Sequence, residues 1–347
     1  MATDTEGAPP KAPGDTRGTM KAIVRYRYGS PDVLELRDIE KPEVADEEVL
    51  VRVHAAGVDR GVWHIMTGLA YPIRLAGFGL RAPKNPVIGM DLAGVIEAVG
   101  KDVSRFRPGD EVFGIGEGSF AEYARARADK LAPKPSNLGF EQAAAVPVTG
   151  LTALQAVRDH GRAAPEQEVL IVGASGGVGT FAVQIAKAFG ANVTGVCSTA
   201  KVEMVGSIGA DHVIDYTRED FAQSERRYDL ILDVGGNSSL ARLRRVLAPE
   251  GTLIIVGGEG GGRWLGGTDR QLRATILSRF VDQKLGTFVA RQNRKDLILL
   301  KKLVESGKLT PVIDRSFPLA DAPGAIRYLE EGHARGKVVV TVWQPAR

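Results

Sequence analysis

The chain is poor in cysteine, in long apolar runs and in net charge, and each shortage excludes a class of protein. Cys197 is the single cysteine of the 347 residues, so neither a disulfide framework nor a four-cysteine zinc site can form within it. The sequence has no apolar run of membrane-spanning length and no apolar segment of a signal peptide at its start. We therefore predict a protein of the reducing cytoplasm with no membrane partner.

A formal net charge of +3 is too small to indicate a nucleic-acid partner. The hydrophobic content of 44% and the charged content of 25% are typical of a soluble globular protein, and the length allows two domains. We expect the partner to be a small-molecule substrate.

Residues 1–19 contain proline, glycine, threonine and aspartate but almost nothing bulky and apolar. Such a segment cannot bury enough surface to offset its ordering entropy. We predict a disordered tail, with the folded part beginning near Met20.

Residues 20–143 are dominated by short apolar runs between glycines and prolines, a pattern that predicts a partly open β-barrel. The expected strands are residues 22–24, 33–36, 48–53, 93–96 and 110–114. Between them, Trp63 to Pro86 is predicted to be a long irregular loop, and such loops often cover a site.

Residues 144–285 alternate between strand and helix patterns, which predicts a doubly wound parallel sheet of α/β class. The expected strands are residues 169–172, 192–197, 212–216, 230–234 and 252–258. Residues 286–347 add helices over 294–305 and 322–331 and a strand over 337–342. We expect this last part to rejoin the barrel, so that the parallel sheet is inserted in it.

The strongest functional signal is a glycine-rich turn, Gly173 to Gly179, between a buried strand and a helix predicted from Thr180 to Phe189. The free N–H groups and the helix dipole at such a turn favour an anion. Gly176 permits close approach of a pyrophosphate, and Gly179 permits close helix–strand packing. The pattern predicts a dinucleotide site, with an ordinary tight turn as the alternative.

The end of the second strand of this sheet lacks the carboxylate that bonds an NAD ribose. It reads Cys197, Ser198, Thr199, Ala200, Lys201, and the first carboxylate, Glu203, is already in a helix. Two hydroxyls and an ammonium can receive a 2′-phosphate, although Ser198 and Thr199 can also cap the next helix. We predict NADPH as the cofactor, with Tyr216 offering its hydroxyl to the same phosphate.

The sequence resembles the medium-chain dehydrogenase/reductase superfamily, in its zinc-free quinone-oxidoreductase-like branch. The motifs that carry the resemblance are Ala55 to Asp59, Gly89 to Ile96, Arg107 to Val112, Gly173 to Gly179 and Gly209 to Tyr216. The resemblance implies a Rossmann domain inserted in a split GroES-like domain, a cleft between the two, and a homodimer.

The resemblance also implies which residues contact the cofactor. Close backbone approach is expected at glycines that follow the fourth and fifth strands. The residues assigned to NADPH are Thr152, Ser175, Gly176, Gly177, Val178, Ser198, Thr199, Lys201, Tyr216, Val234, Val256, Gly257, Gly258, Phe288, Val289 and Lys337.

The chain departs from the zinc-dependent members at the catalytic ligands. Asp59, Met90 and Val148 stand where those members carry Cys, His and Cys. Valine cannot ligate, and a thioether is a poor zinc ligand. We therefore predict no metal.

Without a Lewis acid, reduction of a conjugated acceptor is easier than oxidation of an alcohol, because the developing charge needs only hydrogen-bond donors. Asp59, His64 and Tyr71 are the candidate catalytic residues. Ionised Asp59 only accepts hydrogen bonds, whereas His64 and Tyr71 can donate a proton.

We expect a zinc-independent NADPH-dependent reductase of quinones or α,β-unsaturated carbonyls. Two alternatives stay open: a zinc-free alcohol dehydrogenase or ketone reductase, and a cofactor-binding protein with little turnover.

Overall fold

The computed structural model describes residues 18–71, 74, 78–257 and 268–343. Most of the predicted tail, residues 1–17, lies outside them. The first part of the folded chain is mainly strands: β1 (Thr19–Val24), β2 (Glu35–Glu40), β3 (Glu48–Val58), α1 (Arg60–Thr67), β4 (Asp91–Val99), β5 (Glu111–Ile115), β6 (Tyr123–Arg127) and β7 (Leu131–Pro133).

β3 is the strand on which this first part is built. It alternates buried Val49, Val51 and Val53 with more exposed residues, the pattern of a strand with one face on a core. It pairs antiparallel with β4 along most of its length and with β6 along its first half. Because β4 continues to β5 and β7, the sheet curves around its core as a partly open barrel.

The middle of the chain alternates strands and helices after a helical entry. Its elements are α2 (Phe140–Ala144), α3 (Pro147–Gln155), β8 (Glu168–Val172), α4 (Gly177–Ala188), β9 (Asn192–Cys197), α5 (Val202–Ser207), β10 (His212–Asp215), β11 (Tyr228–Asp233), α6 (Leu240–Val246), β12 (Leu247–Ile255), α7 (Thr268–Leu277) and β13 (Lys284–Thr287).

These strands form one parallel sheet in the order β10-β9-β8-β11-β12-β13. The order reverses between β8 and β11, which is where such sheets bind ligands. On β8, Val169 and Ile171 pack in one core cluster and Leu170 in another, because helices cover both faces. The predicted α/β class, a doubly wound parallel sheet together with a GroES-like barrel, is confirmed.

The last part of the chain returns to the barrel through α8 (Arg294–Glu305), β14 (Ile313–Pro318), α9 (Ala322–Glu330) and β15 (Lys337–Thr341). β15 pairs antiparallel with β3, with Val338 opposite Val58. The residue just before β15, Gly336, bridges to Gly176 in the glycine-rich turn. The seam between barrel and parallel sheet therefore lies directly at that turn.

Two predictions for the barrel are wrong in detail. The loop predicted from Trp63 to Pro86 begins as helix, because Asp59 caps α1 by accepting a hydrogen bond from the N–H of Val62. α1 ends at Gly68, whose φ of +62° suits glycine. The strand expected at residues 33–36 starts at Glu35, after a 3₁₀ turn.

Other differences concern short elements. β6, β7 and β13 were not expected, and each has at most 5 residues, which is too short for a clear periodic pattern. α4 begins at Gly177, three residues before its expected start. The prediction excluded Gly177 and Gly179 from the helix because glycine has a low helix propensity. Among the described residues, none of the helices combines the length and the apolar character needed to cross a bilayer.

The tight packing of Gly179 against the glycine-rich turn supplies a first test. A Cβ at Gly179 would lie 2.1 Å from the carbonyl oxygen of Gly173. We expect Gly179→Ala to lower the free energy of unfolding by at least about 2 kcal/mol, because the helix must move off the strand. Urea denaturation measures this.

The matched control is Gly206→Ala, at a helix position where a Cβ meets no atom within 4 Å. It is expected to raise the stability by about 0.5–1 kcal/mol. Similar effects of the two substitutions would contradict the packing role of Gly179.

Candidate functional site

The glycine-rich turn after β8 has the geometry of an anion cradle. Gly173 adopts a φ of +86°, and Gly176 is the N-cap of α4, a helix of 12 residues. The N–H groups in the first turn of a helix have no intrahelical acceptor. The carbonyl of Ser175 accepts from the N–H of Gly336 at 2.9 Å, so the turn is fixed against the chain that enters β15.

The space above the turn fits a pyrophosphate. The nearest atom to a Cβ at Gly176 would be a carbonyl oxygen at 3.6 Å, so this position is open. At Gly177 a Cβ would come within 3.2 Å of Lys337 Cδ. The turn is therefore open on its outer side and closed by Lys337 on the other, and the residues present fit the phosphates of a dinucleotide.

Lys337 and Asp91 form a buried ion pair beneath this turn. Lys337 Nζ lies 3.3 Å from Asp91 Oδ2, and both side chains are almost fully buried. The other carboxylate oxygen, Oδ1, accepts from the N–H of Val148 at 2.8 Å. Burial raises the pKa of the Asp91 carboxyl to about 7; the charge of Lys337 opposes this shift, and that of Asp59 adds to it.

Asp59 presents an unsatisfied acceptor in the same region. It is 6% exposed, and its Oδ2 is buried without a hydrogen-bond partner in the described structure. Its Oδ1 caps α1, accepting from Val62 N at 3.1 Å. A buried acceptor without a donor is costly unless a ligand supplies one, and a ribose hydroxyl or a carboxamide of the cofactor has the required donor.

The other two candidate catalytic residues lie further along α1 and beyond it. His64 Nδ1 is 2.8 Å from the carbonyl oxygen of Leu69, and its ring meets that of Trp63 edge to face. Tyr71 follows α1, and the guanidinium of Arg74 lies 4.9 Å from its ring centroid. In the described structure Asp59 bonds to Val62 and His64 to Leu69, so these two do not bond each other.

The three positions that hold zinc in the zinc-dependent members do lie close together. A Cβ at Gly61 would lie 2.9 Å from Asp59 Oδ1 and 3.2 Å from Met90 Cε. Val148 contacts the neighbouring Asp91 through its backbone. A carboxylate, a thioether and an alkyl group are not a zinc-binding set, so the residues present do not fit a catalytic zinc.

A carboxylate from β10 lies beside the carboxyl end of β9, and the sequence analysis did not place it there. Asp215, at the end of the adjacent β10, accepts from the hydroxyl of Thr199 at 2.5 Å and from Thr217. Arg218 Nε lies 3.4 Å from the same carboxylate. These donors hold the pKa of Asp215 below its usual value. The parallel register of β10 and β9 places Asp215 beside Cys197. Pairing the predicted third strand with the second would therefore have located this carboxylate from the sequence.

Lys201 is partly committed to the C-terminal part of the chain. Its Nζ donates to the carbonyl oxygen of Ala334 at 2.9 Å and lies 3.5 Å from that of Gly332. Burial lowers the pKa of its ammonium, and the charge of Arg335 adds to that effect. Ser198 is half-buried and Tyr216 is 61% exposed, so both are accessible from solvent.

The backbone after β11 approaches the glycine-rich turn closely, because a Cβ at Gly173 would lie 2.8 Å from the nitrogen of Gly235. The loop after β12 lies against it in turn, since a Cβ at Gly257 would lie 2.3 Å from the carbonyl oxygen of Val234. Both loops are held by Arg270, which donates to the carbonyls of Ser238 and Gly257 and pairs with buried Asp233 at 2.6 Å. Sequence reasoning missed this arginine because it lies on a helix outside the motif.

The remaining predicted contacts are spread around the cleft. Thr152 donates to the carbonyl oxygen of Val148 within its own helix at 2.7 Å. Phe288 stacks on His160 with ring centroids 4.3 Å apart, whereas Val289 is 91% exposed. Val178 and Val256 are half-buried. Gly258 lies outside the described residues.

Comparison with known proteins gives two family-model matches. Residues 45–136 match the alcohol dehydrogenase GroES-like domain, and residues 208–340 match the zinc-binding dehydrogenase model. The description of the second model concerns the family, since this chain lacks the zinc donors.

Relatives and solved structures match along nearly the whole chain. The mouse NAD(P)H oxidoreductase RTN4IP1, mitochondrial, is 34% identical over 93% of this chain and 89% of its own length. The tomato 2-methylene-furan-3-one reductase is 34% identical over 92% and 79%, respectively. The structure of the quinone oxidoreductase from Coxiella burnetii superposes with a TM-score of 0.83 at 30% identity, covering 94% of this chain and 100% of that one.

The raised pKa of Asp91 predicts a pH-dependent stability. The folded carboxyl has a pKa of about 7, against an ordinary value of 3.8, so its contact with Lys337 is a pair of opposite charges above that pH and a hydrogen bond to a neutral carboxyl below it. The folded state therefore binds this proton more tightly than the unfolded state does. The resulting stabilisation of the folded state is complete below about pH 4 and is lost as the pH rises from about 4 to about 7. Asp91→Asn keeps an acceptor for Val148 but does not titrate. We expect the stability of the wild type relative to this variant to fall across that window.

Urea unfolding at pH values from about 4 to about 8 measures this difference. Asp102→Asn, at an exposed position, is the control and is expected to parallel the wild type. A wild-type profile parallel to that of Asp91→Asn would contradict the assignment.

Proposed function

This chain belongs to the medium-chain dehydrogenase/reductase superfamily, in its zinc-free quinone-oxidoreductase-like branch, and is an oxidoreductase with a nicotinamide cofactor; we propose that it uses NADPH to reduce quinones or α,β-unsaturated carbonyls. The observation that carries this proposal is the set of side chains at Asp59, Met90 and Val148, which offers no zinc-binding set, while Val148 bonds to the Asp91 that pairs with Lys337 beside the glycine-rich turn. Names of relatives, including an enone reductase and a quinone oxidoreductase, agree with that class of acceptor.

A pocket without a Lewis acid favours acceptors that are already electron-poor. Hydride addition to a conjugated carbon places negative charge on a remote oxygen, which hydrogen-bond donors can stabilise. Oxidation of an unactivated alcohol would require its pKa to be lowered, and this donor set does not do that. The chain's task is to hold the reactants close together and to exclude water.

The cofactor supplies the hydride when it is bound. The N–H groups at the start of α4 bind its phosphates, and Lys337 beneath Gly177 adds positive charge near them. Asp59 Oδ2 accepts a hydrogen bond from a hydroxyl or amide of the cofactor, which satisfies the buried oxygen. Arg270 holds the loops after β11 and β12 in place.

The proton that completes the reduction has two candidate sources. Because His64 Nδ1 faces a carbonyl oxygen, it carries a hydrogen, and Nε2 can donate only when the ring is an imidazolium. Tyr71 has a hydroxyl that donates without a change of charge. We propose His64 and Tyr71 as the residues that protonate the product or relay a proton from solvent.

The preference for NADPH is proposed on the chemistry at the end of β9. Ser198 and Tyr216 offer two hydroxyls, and Lys201 an ammonium, to a 2′-phosphate, whereas Thr199 donates its hydroxyl to Asp215. The carboxylate at the end of the adjacent β10, Asp215, is engaged by two threonines and Arg218. Its negative charge is therefore partly offset, and repulsion of a phosphate is reduced.

We also propose a homodimer that uses the edge of the parallel sheet. β13 is the edge strand, and α7 packs beside it. Leu272 and Ile276 on α7 and Phe280 just after it are exposed by 62%, 52% and 78%. A group of large apolar side chains in solvent favours association with another protein surface.

For the compartment we propose the cytoplasm, on the basis that the single cysteine, Cys197, is unpaired and buried. Relatives include mitochondrial proteins, so localisation of the tagged chain is the relevant measurement.

The acceptor class is tested by following NADPH consumption with quinones, conjugated enones, saturated ketones and aldehydes. We expect turnover with quinones and enones, little with saturated ketones, and rates unchanged by a strong chelator. Equal rates with saturated ketones would favour a ketone reductase instead. Tight NADPH binding without any turnover would favour a binding protein.

The cofactor preference is tested at Lys201. Lys201→Met is expected to lower kcat/KM for NADPH by about 10- to 100-fold, because a charge-assisted bond to the phosphate is lost. The bond to Ala334 is lost for both cofactors, so the ratio of NADPH to NADH efficiency is the measurement. Lys308→Met, at an exposed position, is the control. An equal loss with NADH would show that the phosphate lies elsewhere.

A further inference from the structure

Arg25 is a buried cation without a counter-charge. It follows β1 directly, is 2% exposed, and its Nε and Nη1 are buried without a hydrogen-bond partner. Within the described residues no carboxylate pairs with it, and its backbone N–H donates to the carbonyl oxygen of Pro86 at 2.9 Å. None of the roles assigned above uses this side chain.

Such an arrangement is unfavourable in the unliganded protein. Burial lowers the pKa of the Arg25 guanidinium to about 10, so the group is still charged at neutral pH. Buried charges in proteins are nearly always paired or hydrogen-bonded. An anionic ligand would supply the partner that the buried guanidinium lacks.

A second cation converges on the same place. The guanidinium carbon of Arg25 lies 5.6 Å from the ring centroid of Tyr28, and that of Arg74 lies 4.3 Å from the same centroid. The hydroxyl of Tyr28 donates to the carbonyls of Phe78 and Gly79 at 2.9 and 2.6 Å. The ring is thus held in place between two positive groups.

This part of the sequence has an excess of positive charge. Residues 60–90 contain Arg60, Arg74, Arg81 and Lys84 and no aspartate or glutamate, although Asp59 and Asp91 flank them and Glu330 accepts a hydrogen bond from Trp63 on α1. An excess of positive charge favours binding of an anion.

The location connects this pair of arginines to the proposed acceptor site. Gly68, at the end of α1, packs against Tyr28 and Arg74, whereas Asp59 stands at the start of α1. α1 has 8 residues, which corresponds to about 12 Å at about 1.5 Å per residue. The two ends of α1 are therefore separated by the length of a medium-chain substrate.

We propose that Arg25, assisted by Arg74, binds a carboxylate on the acceptor, so that this enzyme's substrates are conjugated enones or quinones carrying a carboxylate about 10 Å from the reducible bond. That the bound carboxylate belongs to a substrate rests on the proposed reductase function. The anion site itself does not depend on that function. A planar guanidinium matches the two oxygens of a carboxylate.

The test compares an enone whose alkyl chain ends in a carboxylate with its methyl ester. In the wild type, kcat/KM is expected to be higher for the acid. Arg25→Met is expected to lower it for the acid by about 10- to 100-fold and for the ester by less than about 3-fold. Arg105→Met, at an exposed position outside this segment, is expected to change neither. Equal efficiency with acid and ester in the wild type would overturn the proposal.

Calorimetric binding of the saturated acid to the NADPH-loaded enzyme tests the site without turnover. Binding that is lost in Arg25→Met supports the anion site even if no enone is reduced, in which case the proposed function alone fails. Absence of binding to the wild type overturns the site. Tighter binding of the corresponding phosphate monoester would overturn the choice of carboxylate.

Thermal unfolding separates a ligand role from a structural one. Because Arg25→Met removes an unpaired buried charge and keeps a similar volume, it is expected to raise Tm in the absence of ligand. A lower Tm, with acid and ester affected alike, would show that Arg25 only supports the fold.

Discussion

The buried ion pair between Lys337 and Asp91 is the interaction on which the site depends. The two residues are 246 positions apart, and Val148 at the start of α3 bonds to the same carboxylate. A buried pair is often no more stabilising than apolar residues of the same volume. Its value here is positional, because it holds the last strand, the barrel and the glycine-rich turn in one arrangement. It acts together with two backbone bonds at the same end of β15, from Gly336 N to Ser175 O and from Lys337 N to Val312 O.

That arrangement explains how one superfamily supports different chemistry in the same place. The matched family model is described as zinc-binding, and the three ligand positions still converge in this chain. The side chains at those positions have changed to Asp59, Met90 and Val148, which removes the Lewis acid but keeps the cleft. Function therefore has to be argued from these side chains, because the fold is common to both kinds of enzyme.

The sequence predicted those parts of the structure that local patterns determine. The strand at residues 192–197 and the helix at 294–305 have the predicted bounds, because buried runs and caps are encoded by adjacent residues. α1 was missed because Gly61 and two aromatic residues weaken its helical pattern. The engagement of Thr199 by Asp215, and of Lys201 by Ala334, depends on strand pairing and on the return of the C-terminus. Neither can be deduced from the neighbourhood of these residues in the sequence.

Unsatisfied buried groups of opposite sign stand at the two ends of α1. Asp59 has a carboxylate oxygen without a donor, and Arg25 has two guanidinium nitrogens without an acceptor. Each lowers the stability of the unliganded protein, and apolar residues would avoid the loss. They are two of several buried polar groups that lack a partner among the described residues, and they are the two for which we propose that a bound molecule supplies the missing bond. In our proposals the cofactor contacts the start of α1 and the acceptor's carboxylate lies near its end, so the length of α1 would set the distance between the reacting carbon and the distal charge.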